Sequence, residues 1–136
     1  MGHTRSSRFG IVFAYSGAPM NTRRSPDWVF DRGRFLANVD GNLDLMHEVT
    51  KLFLEDCPRR LAALRDAMAR RDRTALEQAA HKLKGSAGYI SAPGVFTAAD
   101  EVEAIARCGD LADADDACAR LQQETRELVQ MLASLR

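Results

Sequence analysis

From Leu43 to Met68 the chain carries Leu43, Met46, Val49, Thr50, Phe53, Leu54, Cys57, Leu61, Leu64 and Met68, all apolar but for Thr50 and spaced by threes and fours. That spacing lines one face of an α-helix and cannot serve a strand, whose side chains change face at every residue. Pro58 stands in the middle of the run. A proline removes a hydrogen-bond donor and costs a helix interior about 3 kcal/mol. The apolar phase nevertheless passes through Pro58 without a slip, so the spacing predicts one long helix over about 43–70, bent at Pro58. A chain of 136 residues has room for one domain and one core. Its other segments must therefore cover that apolar face.

They carry the same period. Arg70-Arg71-Asp72-Arg73 is a polar connection, with Asp72 or Thr74 as the cap of the next helix. Leu76, Ala79, Ala80, Leu83, Ala87 and Ile90 form its buried stripe. Ser91-Ala92-Pro93-Gly94 breaks it, with Ser91 a candidate cap and Pro93 near the first turn of a third helix. Val95, Ala98, Ala99, Val102, Ile105 and Ala106 carry that helix to Gly109, a candidate C-terminal cap. Leu111, Ala114, Cys118, Leu121, Thr125, Leu128, Leu132 and Leu135 then make a heptad-like seam. In a chain this short the seam is expected to be consumed by its own core, leaving a monomer.

Ahead of the long helix, Trp28, Phe30, Phe35, Leu36 and Val39 are a compact apolar set, and Asp31 can cap a short helix around 31–38 that lids one end of the core. Asp40-Gly41-Asn42 reads as a turn or cap. The body shows no convincing strand signal. The expected fold is all-α: an antiparallel four-helix bundle over residues 27–136 with a short extra N-terminal helix.

Charge narrows the function. Residues 1–26 hold four arginines and no acid, so the rest of the chain carries 15 basic against 19 acidic residues. An acidic body gives no reason to expect a nucleic-acid partner. Residues 1–26 read as a flexible leader or linker, rich in Ser, Gly, Arg and Pro, with Met20 an alternative start. No apolar run reaches the roughly 18 residues of a membrane span, and Phe9 to Tyr15 is too short for a secretory signal. Cys57, Cys108 and Cys118 are an odd set without metal-ligand or CxxC spacing, which fits reduced thiols in a cytoplasmic protein.

One helix face is chemically unusual. At about 100° per residue, Glu77, Lys84, Gly85 and Gly88 cluster within roughly 60° of His81, opposite the apolar stripe. An imidazole with an ammonium one turn away thus shares a face with two glycines. Each glycine costs a helix interior about 1 kcal/mol relative to alanine, so stability alone does not account for them. The pattern reads as an exposed nucleophile that something large approaches closely.

His81-Lys82-Leu83-Lys84-Gly85-Ser86-Ala87-Gly88 resembles the phosphoacceptor signature of histidine-containing phosphotransfer (HPt) domains, whose core is His-x-Leu-Lys-Gly-Ser-Ser/Ala. The flanks are similar too, with an amphipathic helix before and a helix carrying Val102-Glu103 after. The resemblance covers roughly residues 30–135. It departs at Ser91-Ala92, where the family usually has Gly-Ala, which puts the geometry of that loop in question.

The resemblance implies a phosphoryl carrier, not an enzyme, working between receiver domains or from a hybrid sensor kinase to a response regulator. His81 would be the phosphoacceptor and Lys84 the stabilising charge. Gly85 and Gly88 would give docking clearance, with Gln78 and Lys82 on the partner surface. No phosphate-cradling loop or metal triad is visible, so no cofactor is expected on this chain, and Mg²⁺ is expected on the partner receiver. The alternative is a non-phosphorylated scaffold or inhibitor bundle, which would have no need of a nucleophile. His47, the pair Glu55-Asp56, and Asp113, Asp115 and Asp116 read as solvated helix surface, the last three favouring a helix N-terminus.

Overall fold

The structure, a computed structural model, describes residues 26–135; the leader expected over 1–26 lies outside the described residues except for Pro26. Two short helices open it, α1 (Pro26–Val29) and α2 (Arg32–Asn38). Four long ones follow: α3 (Leu43–Ala69), α4 (Arg73–Ile90), α5 (Pro93–Cys108) and, after a 3₁₀ turn at Leu111–Asp113, α6 (Ala114–Ser134). The long helices pack as a ring, α3 on α4, α4 on α5, α5 on α6 and α6 back on α3. This is the expected four-helix bundle. The sequence pattern did not foresee α1.

The helices begin where short polar side chains can accept from the first free N–H groups. Asp31 accepts from Arg34, Asn42 from Leu45, and Asp72 from Ala75. Helix α3 runs unbroken through Pro58, whose ring is exposed, because its one-sided apolar stripe is buried along the whole length. Met46, Phe53, Cys57, Leu64 and Ala67 meet Leu76, Leu83, Ala87 and Ile90 of α4, Val95 and Val102 of α5, and Leu121, Leu128 and Leu132 of α6 in one core. The stripes fray at their ends, where Leu43 and Leu135 are exposed.

Three of the expected breaks are made by a left-handed residue that the sequence did not announce. Asp40, Arg71 and Ser91 have φ of 54°, 54° and 65°, the left-handed region where glycine is the usual occupant. Each is followed by an N–H that reaches back to a carbonyl of the last turn: Gly41 to Leu36, Asp72 to Ala67, and Ala92 to Ala87. Ser91 therefore ends α4 and is not the cap of α5. That helix starts at Ala92 with no side-chain cap and with Pro93 in its first turn, where a missing N–H costs nothing. Gly109, by contrast, closes α5 in extended backbone, so its expected capping position needs no positive φ.

The Ser91 turn is clamped by α2. Asn38 Nδ2 donates to Tyr89 O at 2.9 Å and to Ser91 Oγ at 3.3 Å, and Asp31 N–H donates to Ser91 O at 2.8 Å. At the same end, Trp28 Nε1 donates to Glu124 at 3.4 Å across the start of α5. A Cβ at Gly94 would clash with Glu124 Oε1 and lie 2.8 Å from Trp28 Nε1, so a larger residue there would displace the Glu124 carboxylate from Trp28. The short helices thus lid the end of the bundle and brace the turn into α5.

Ser91→Val should lose about 2 kcal/mol in urea unfolding, since a β-branched residue is strained at this φ. Ser91→Gly, which relieves the strain but adds chain entropy and gives up the Asn38 bond, should stay within about 1 kcal/mol of wild type. Equal losses would mean that the hydroxyl, not the dihedral, holds the turn.

Candidate functional site

His81 lies at mid-length on α4, and its side chain is 67% exposed. What orients it comes from α5. Asp100, Glu103 and Arg107 recur at steps of three and four and so share one face of that helix. His81 Nδ1 lies 2.9 Å from Glu103 Oε2, and Arg107 Nη2 donates to the same oxygen at 2.8 Å. Arg107 Nε also donates to Glu77 of α4 at 2.9 Å. The other oxygen, Glu103 Oε1, lies 2.7 Å from Lys84 Nζ, which is 3.3 Å from Asp100 Oδ1.

Glu103 is therefore the hub, with only 5% of its side chain exposed. Burial by itself pushes its carboxyl up, but the hydrogen bonds and charges of Lys84 and His81 outweigh that and hold it below its ordinary 4.5. At neutral pH it is a carboxylate and can only accept. The proton of a neutral His81 must then sit on Nδ1 and donate to Glu103. Nε2 keeps its lone pair and is the nitrogen left for a reactant.

The helix wheel grouped Lys84 with the exposed face. In the structure its ammonium is tucked under that face, 11% exposed, between two carboxylates and 6.0 Å from the Phe96 ring. The reason is its length: from the edge of the face the side chain reaches the acids of α5 and neutralises them. The glycines divide in the same way. A Cβ at Gly85 would meet nothing within 4 Å, whereas one at Gly88 would lie 3.3 Å from Phe96, so that clearance is taken up inside the protein. Gln78 and Lys82 are exposed and line the cleft that holds His81.

Among the described residues no cluster of three His, Cys, Asp or Glu could hold a metal ion. Cys57 and Cys118 are buried, and desolvation pushes both thiols up to about 11, so neither offers a thiolate near pH 7. His47 is exposed, and among the described residues no helix is long and apolar enough to cross a membrane. The sequence reading missed Asp100 and Arg107, placed Glu77 on the His81 face without a role, and saw Glu103 only as a flank of the motif. The signal was the three- and four-residue spacing of charges beside the apolar stripe of α5.

A family model described as the Hpt domain matches residues 48–135, most of the chain and the whole of this network. The chain belongs to the Hpt domain family. A solved structure agrees in fold: the HPt domain of an Hpt sensor hybrid histidine kinase from Shewanella. It is 17% identical with a TM-score of 0.74, over 80% of this chain and 94% of that one. No curated protein matches. Membership assigns this Hpt domain to the phosphotransfer modules of phosphorelays.

Glu103→Gln should destabilise this Hpt domain at neutral pH by about 1–3 kcal/mol, since it weakens charge-assisted bonds to a buried acceptor. A carboxyl held below its ordinary value contributes stability that is lost as pH falls through its native value. The gap between wild type and variant, followed by chemical unfolding, should therefore be full at pH 7 and shrink below about pH 4.5. A gap independent of pH would show that packing, not charge, accounts for it.

Proposed function

We propose that this chain is a histidine phosphotransfer protein that carries a phosphoryl group on Nε2 of His81. It would pass the group between receiver domains, or from a hybrid sensor kinase to a response regulator. The observation that supports this is the bond from the exposed imidazole to the buried carboxylate of Glu103, which leaves Nε2 as an oriented nucleophile on a helix face kept bare at Gly85.

In the forward step the Nε2 lone pair attacks the phosphorus of an aspartyl phosphate. An N–P bond forms, the acyl P–O bond breaks, and its electron pair returns to the donor's carboxylate. The proton stays on Nδ1, so the ring becomes an imidazolium hydrogen-bonded to Glu103. Before transfer the neutral ring sits among three carboxylates (Glu77, Asp100, Glu103) and two cations (Lys84, Arg107). The positive charge that develops on the ring offsets the net negative charge of this set and favours the imidazolium, while the phosphoryl group carries its own negative charge on the exposed side of the ring at Nε2. Lys84 acts through Glu103, keeping it ionised. Mg²⁺ would come with the receiver, held by that partner's carboxylates. Transfer onward reverses the step, with the protein acting as a monomer in the cytoplasm, where its free thiols stay reduced.

Incubation with a phosphorylated receiver and Mg²⁺ should place acid-labile, base-stable phosphate on the wild type and none on His81→Gln, whose melting temperature should fall only slightly because the ring is exposed and Glu103 keeps Lys84 and Arg107. Binding without label across a panel of receivers would instead favour the scaffold reading. Gly85→Gln separates docking from folding. It should raise stability by up to about 1 kcal/mol through helix propensity, yet slow phosphotransfer at least tenfold (about 1.4 kcal/mol) by filling the partner's approach. Unchanged transfer would remove the docking role of Gly85.

A further inference from the structure

Two cations are built into the His81 network, and their charges are disposed differently. Lys84 Nζ lies 2.7 Å from Glu103 Oε1 and 3.3 Å from Asp100 Oδ1, and both of those carboxylates are buried. One ammonium between two carboxylates is more than neutralised, so this group presents no positive field to the outside. Lys84 is also absent from the lining of the cleft that holds His81.

Arg107 differs on each count. It stands in the last turn of α5, is 47% exposed, and lines the His81 cleft together with Glu77, Glu103, Gln78 and Lys82. Its Nε donates to Glu77 at 2.9 Å and its Nη2 to Glu103 Oε2 at 2.8 Å. These bonds run to acids on two helices and hold the guanidinium plane in place. A guanidinium has more N–H donors than two bonds use, and Nη1 makes no hydrogen bond among the described residues. Glu103 Oε2 also lies 2.9 Å from His81 Nδ1, so one oxygen sets the position of both the ring and the guanidinium.

Transfer to Nε2 places an anionic group on the outer side of the ring, in this cleft. Its oxygens lose their counter-charge when the receiver and its Mg²⁺ withdraw, and they then need donors from this chain. A guanidinium offers such oxygens paired N–H groups in a fixed plane, where an ammonium is a point charge on a flexible stem. Lys82, the other exposed cation of the cleft, directly follows His81, and consecutive residues of a helix do not face each other. No ion pair among the described residues fixes its position.

Resting on the phosphocarrier reading above, we propose that Arg107 binds the phosphoryl group of phosphorylated His81 through Nη1. The motif implies that role for Lys84; the burial of Lys84 between Asp100 and Glu103 moves it to the helix across the cleft. Lys84 keeps Glu103 ionised, Glu103 holds the ring and the guanidinium, and Arg107 meets the phosphoryl oxygens.

The test uses the whole chain, labelled by a phosphorylated receiver and then separated from it. Nitrogen-15 NMR follows the arginine side chains before and after labelling, with the Arg107 signals assigned by their loss in Arg107→Lys. The Arg107 Nη signals should shift and their protons should exchange more slowly with water once His81 is phosphorylated, while those of Arg126 on α6 should not move. An arginine that only props Glu103 would show no such change. In parallel, the transfer equilibrium with the receiver is measured for wild type and variants, a quantity indifferent to how the two proteins dock. Arg107→Gln should shift it toward the receiver about fivefold. Arg107→Lys should recover part of that, Lys82→Gln should shift it less than Arg107→Gln, and Arg126→Gln should match wild type. Melting curves confirm that each variant is folded. A labelled wild type whose Arg107 signals stay put, or an Arg107→Gln equilibrium equal to wild type, would overturn this inference and leave the phosphocarrier reading intact. A wild type that never takes label would sink the carrier reading and this inference with it.

Discussion

A single buried carboxylate, Glu103, ties the chemistry of this protein to its fold. Putting an ion into the interior is costly unless it is paired and hydrogen-bonded. Here both oxygens are committed: one to the ammonium of Lys84, the other shared by His81 and Arg107. The partners come from two helices, so the pairing exists only when α4 and α5 are docked in register. The same contacts that make the burial tolerable hold the imidazole in one tautomer, and a loss of register would disable the site before it unfolded the bundle.

Register between α4 and α5 is in turn set at their connection, which is only two residues long. Ser91 takes a left-handed conformation there, and α2 pins it through Asn38 and Asp31. Trp28 and Glu124 close over Gly94 at the start of α5. The short N-terminal helices cover apolar surface, and they also brace the turn from which the phase of α5 relative to His81 is measured. From that turn, Glu103 is three helical turns along α5, where small errors of orientation would be amplified.

The two cations of this network divide the work electrostatically. Lys84 lies among acids beneath the face, where charge must be balanced around one nitrogen. Arg107 reaches water, held by one carboxylate that is buried and one that meets solvent. Interactions buried in the protein are barely screened, while those at the surface weaken with salt. An internal orienting pair and a salt-sensitive outer cation can therefore share Glu103.

Much of this was legible in the chain itself. Three- and four-residue spacing determined four helices, their inward faces and the continuity of α3 through Pro58, because burial of a long apolar stripe outweighs one missing hydrogen bond. Asp31, Asn42 and Asp72 marked helix starts, because local caps need only neighbouring backbone. His81 stood out because a bare face at Gly85 has no purpose in folding. The breaks at Asp40, Arg71 and Ser91 were legible as polar connections, but their left-handed backbone was not, since Arg and Ser seldom take a positive φ and Asp takes it only in a minority of places. Nor were the burial of Lys84, the filling of Gly88 by Phe96 and the hub at Glu103. A periodicity tells which way a side chain leaves its own helix; which charges it meets depends on the rotation and rise of the next helix, and only tertiary packing decides those.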